Sequence, residues 1–85
     1  SIYTTFVHSK KFLKMEKFQV PGIFKHHICY ARSLERNKYE IFMDTDLVGI
    51  IDKEGSGWFL DQYKNEILSS ENIQLIGQFI NKRLL

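Results

Sequence analysis

Two hydrophobic periods run along this chain. Between residues 39 and 44 the pattern alternates, with Tyr39, Ile41 and Met43 on one side and Glu40, Phe42 and Asp44 on the other, as in a half-buried strand. Near the C-terminus Ile73, Ile76, Ile80 and Leu84 recur every three or four residues, which predicts a helix over about 71–84. Ser69-Ser70 supplies its N-cap and Glu71 suits its first turn. Phe59, Leu60, Tyr63 and Ile67 fall on one helical arc and predict a preceding helix over about 57–68.

The remaining segments fill in around these. Residues 2–8 are β-branched and aromatic and read as a strand. Phe12, Met15 and Phe18 suggest a helix over 10–18 behind Ser9. Val20-Pro21-Gly22 is a turn signal, with glycine where a type II turn needs positive φ. Residues 23–32 read as a strand and Ser33 to Lys38 as a hairpin connection. Asp44-Thr45-Asp46 is a tight turn. Leu47 to Ile51 is apolar on both faces, as in a central strand, and Gly49 marks a bulge or close backbone approach. Asp52 to Gly57 is a loop.

This order implies an α+β fold: one small domain over residues 1–85, an antiparallel three- to four-stranded meander with two C-terminal helices packed on one face. Size agrees, because 85 residues leave room for one small core. Hydrophobic residues at 44% and charged residues at 26% are ordinary globular proportions and exclude a disordered chain. No apolar run reaches the roughly 18 residues a membrane span needs, and the N-terminus lacks the basic-then-apolar pattern of a signal peptide. A single cysteine, Cys29, excludes an internal disulfide and fits a reducing, cytoplasmic setting.

Charge is split along the sequence. Residues 1–42 carry eight Lys/Arg against three Asp/Glu, and residues 43–85 carry four against seven. Such a split marks either a basic face or two halves that pair in the fold.

Candidate chemistry is sparse. His27 and Cys29 would share a face of a strand, two of the four ligands a structural zinc needs, with His8 and a carboxylate left to complete the set. The same pair is the minimum for a thiol nucleophile. Gly55-Ser56-Gly57 lacks the spaced glycines of a dinucleotide loop and the Gly-Lys-Ser/Thr ending of a P-loop. Asp44, Asp46, Asp52 and Glu54 do not follow the spacing of a calcium loop, and fit turns better. We therefore expect no catalytic set, no metal and no cofactor.

Two surfaces remain. The last helix carries more apolar residues than one contact requires, so Leu75, Phe79 and Leu85 are the expected contacts to another protein or to a second copy in a homodimer. Alternatively, Lys10, Lys11, Lys14, Lys17, Lys25 and Arg32, interleaved with aromatics, would bind nucleic acid. The expected function is a small non-enzymatic interaction or regulatory module that works by protein–protein contact. Nucleic-acid binding is the alternative, and a small enzyme or metal-binding protein comes third.

Overall fold

The computed structural model describes residues 16–63 and 66–84. Five antiparallel strands form one sheet: β1 (Phe18–Gln19), β2 (Cys29–Glu35), β3 (Lys38–Met43), β4 (Asp46–Glu54) and β5 (Gly57–Tyr63). Helix α1 (Ser70–Leu84) follows. Strand order in the sheet is chain order. The fold is thus α+β and antiparallel, with five strands and, among the described residues, one helix.

The register explains the faces. Ala31 lies opposite Ile41, Cys29 opposite Met43 and Tyr39 opposite Ile51. These side chains are buried with Trp58 beneath Ile73, Ile76 and Ile80 of α1. Burying each isoleucine contributes roughly 1.5–3 kcal/mol relative to exposure. The opposite face carries Arg32, Glu40, Phe42 and Asp52. The helix start is capped as the sequence indicates: Ser69 Oγ accepts from the Asn72 N–H at 3.1 Å, and the Ser69 carbonyl accepts from Ile73 at 2.9 Å.

Of the helix predicted over 57–68, residues 57–63 are instead β5, residues 66–68 are non-helical, and residues 64–65 lie outside the described residues. Trp58 and Leu60 face α1 at strand period, while Phe59 points the other way and is 53% exposed. An irregularity at Ile50/Ile51 leaves Asp61 without a direct partner. The loop expected over 52–57 shrinks to Gly55-Ser56, because β4 runs on to Glu54, which pairs with Gly57. Gly55 has φ 62 at the first central position, as a type II′ hairpin turn requires.

The strand expected over 23–32 begins only at Cys29 and extends to Glu35, with the turn at Arg36-Asn37. Residues 23–28 are irregular. Of the helix expected over 10–18, Glu16 and Lys17 are non-helical and Phe18 is in β1; residues 10–15, and the strand expected over 2–8, lie outside the described residues. The turn at Pro21-Gly22 is present, with Gly22 at φ 81. At Gly49 a Cβ would stand 2.9 Å from the Gln62 carbonyl oxygen, so the expected close backbone approach is real.

Candidate functional site

A groove of about 560 Å³ opens where the C-terminal half of α1 crosses β1, β2 and β3. Phe18 pairs with Ala31, which turns its ring toward the helix. That ring stacks on Phe79 at 6.4 Å and meets Tyr39 edge-on at 6.4 Å. Arg83, one turn beyond Phe79, lays its guanidinium 4.0 Å from the Phe18 ring centroid. Among the described residues Arg83 has no carboxylate partner. Phe18, Ile80 and Leu84 form apolar walls, and Leu84 is 66% exposed at the rim. Ser33, Glu16 and Lys17 complete the polar lining. Burial pushes the Tyr39 phenol up, with Arg83 pulling the other way, so the hydroxyl stays protonated at neutral pH. This is a groove of mixed character, apolar on the Phe18, Ile80 and Leu84 side and bearing Arg83, Lys17, Glu16 and two hydroxyls elsewhere, suited to an apolar side chain that carries a carboxylate or carbonyl toward Arg83.

Of the residues expected to meet a partner, Leu75 is 41% exposed on α1. Phe79 is only half-exposed, because Phe18 stacks on it; β1, not a preceding helix, covers that side of α1. Leu85 lies outside the described residues.

Of the six basic residues, Lys10, Lys11 and Lys14 lie outside the described residues. Lys17 and Arg32 both cover the Phe42 ring on the outer sheet face, at 3.9 and 5.0 Å. Arg32 Nε also donates to Glu40 at 2.8 Å. Lys25 is exposed in the irregular segment. Nearby, Lys38 donates to Asp61 at 3.2 Å, which holds its ammonium above the usual lysine range. The outer face therefore mixes both signs.

The Cys29 and His27 side chains do not share a face, because residue 27 precedes the strand. Cys29 sits in the core, where burial pushes its thiol up to about 12. His27 is exposed, with Nδ1 2.9 Å from Asp44 Oδ2. Asp44 Oδ1 accepts from the Ile28 N–H at 3.1 Å, and the Asp44 N–H donates to the Ile28 carbonyl at 2.7 Å. The hydrogen bond from His27, then that from Ile28, holds the Asp44 carboxyl below its ordinary range. Asp44 thus clamps the irregular segment onto the β3–β4 turn, and adopts φ 58 to do so. Gly55-Ser56 precedes a strand, so no helix N-terminus stands there to receive an anion.

The sequence does not single out Phe18 and Arg83 as members of one site. Their only signal is the four-residue spacing of Phe79 and Arg83, which puts both on one flank of a helix. No protein-family model matches the chain, and no match is found among curated proteins or solved structures. Among the described residues no helix is long and apolar enough to cross a membrane.

Proposed function

We propose that this chain is a non-enzymatic interaction module of the cytoplasm that binds another protein through the groove beside Arg83. One observation carries it: an exposed leucine, an aromatic floor and a guanidinium without a carboxylate partner among the described residues meet in one slot. Such a slot receives an apolar anchor residue flanked by an acidic group. Three of the reactive groups among the described residues support the non-enzymatic part. Cys29 is inside the core, Asp44 is tied to His27 and Ile28, and Tyr39 holds its proton.

Site-specific photo-cross-linking tests this. A photoreactive amino acid at position 84 should give a discrete protein adduct in cells that the same group at Ser56, in the β4–β5 turn, does not. Arg83→Glu should abolish it. Identical adduct patterns from both positions, or indifference to Arg83→Glu, would remove the groove from consideration.

The alternative, nucleic-acid binding, is favoured by Lys17 and Arg32 lying over one aromatic ring. The ion pair of Arg32 with Glu40 weighs against it. Titration with single-stranded and duplex DNA and RNA at two salt concentrations separates the readings, because phosphate contacts weaken steeply as salt rises.

A further inference from the structure

A second surface lies on the opposite side of α1 and does not depend on the groove. Glu71, Leu75, Gln78 and Lys82 are all exposed. At about 100° per residue they fall within roughly 60° of one another, facing away from the buried Ile73, Ile76 and Ile80. Their separations are four, three and four residues, which read the same in both directions. Glu71 and Lys82 have no ion-pair partner among the described residues.

The geometry points to an antiparallel pairing of α1 with α1 of a second copy. Sliding two such rows together with Glu71 opposite Lys82 of the other copy also sets Leu75 opposite Gln78, twice, about a two-fold axis. Both ends then carry an ion pair, and the centre packs leucine against the aliphatic stem of glutamine. A parallel pairing would put Glu71 against Glu71 and Lys82 against Lys82, so the charges select the antiparallel arrangement. The contact is isologous, and it closes at the dimer. Placing the acid in the first turn and the base in the last also suits the dipole of each helix. That same placement makes the row self-complementary. With one leucine per copy the association is weak and concentration-dependent.

Sedimentation equilibrium over a rising concentration series is the test. The weight-average mass should climb from the 10.1 kDa of one chain toward twice that value. Lys82→Glu and Glu71→Lys should each hold it at the monomer, and the two together should restore the rise. Far-UV circular dichroism checks that α1 persists in each variant. Should the double reversal unfold the helix, Gln78→Leu takes its place, since it sets leucine against leucine and must strengthen association. A wild-type chain that stays monomeric throughout overturns the pairing. So does association indifferent to the single reversals, a folded double reversal that stays monomeric, or a Gln78→Leu variant that associates no better.

Discussion

Gly77 is where helix propensity and packing make opposite predictions. Alanine in a helix interior is ordinarily favoured over glycine by about 1 kcal/mol. Gly77, however, is buried in the middle of α1 against Trp58. A Cβ there would stand 2.2 Å from Trp58 Cδ1, 2.3 Å from Cγ and 2.5 Å from Nε1. Ordinary carbon–carbon contact begins near about 3.5 Å, so ring or helix must move by more than an ångström. The ring has little freedom to do so, since it is 2% exposed and packs against Tyr39 at 5.9 Å. Overpacking of this kind costs about 1–3 kcal/mol, and a rigid aromatic neighbour puts Gly77→Ala at or beyond the top of that range. After the propensity gain, the net loss is about 2 kcal/mol. Whole-domain stability at 85 residues is on the order of 4–13 kcal/mol. The loss should therefore move the urea midpoint down by about 1–2 M, followed by far-UV circular dichroism. The partner variant is Trp58→Leu, which frees the space beside residue 77 and removes an indole N–H buried without a hydrogen-bond partner. In that background Gly77→Ala should become neutral or stabilising. Additive effects in the double-mutant cycle, or a stabilised Gly77→Ala single variant, would refute the contact.

Three further outcomes follow from local geometry. Asp44→Asn keeps the left-handed turn but removes the carboxylate. The folded-state Asp44 titrates below its ordinary range, so its contribution is complete above the unfolded pKa and is lost as pH falls through the depressed value. Stability of the variant should accordingly fall less between neutral and acid pH than that of the wild type, as read from urea midpoints. Cys29 should resist a thiol-specific disulfide reagent at mildly alkaline pH in the folded protein and react at once in denaturant; prompt reaction of the folded protein would contradict its burial. Ser69→Ala should cost about 1 kcal/mol through loss of the bond to Asn72, and an unchanged thermal midpoint would show that the cap is idle.

What the sequence revealed depended on whether local pattern and local structure shared a cause. The alternation at 39–43, the Asp44 turn and the capped isoleucine helix each report their own backbone, and each is present. Residues 57–63 misled because Phe59, Leu60 and Tyr63 happen to share a helical arc. Trp58, which lies off that arc, is the side chain that defines the core face of β5. Residues 23–28 look like strand, yet the Ile28 N–H bonds to the Asp44 side chain, a partner 16 residues away that no local pattern announces. The charge split partly resolves in space. Lys38 meets Asp61 and His27 meets Asp44 across the two halves, whereas Arg32 pairs with Glu40 inside the basic one. The groove beside Arg83 was illegible for the same reason as the clamp, since it joins β1 to the far end of α1.

Because neighbouring strands are also successive in the chain, each hairpin can zip onto the last as synthesis proceeds, without waiting for a distant partner. The helix that covers Ile41, Ile51 and Trp58 comes after all five strands. Without that helix the sheet would leave one whole apolar face wet. Any change that undocks α1 therefore exposes Ile41, Ile51 and Trp58 together, and aggregation should track how firmly this helix is held on the sheet.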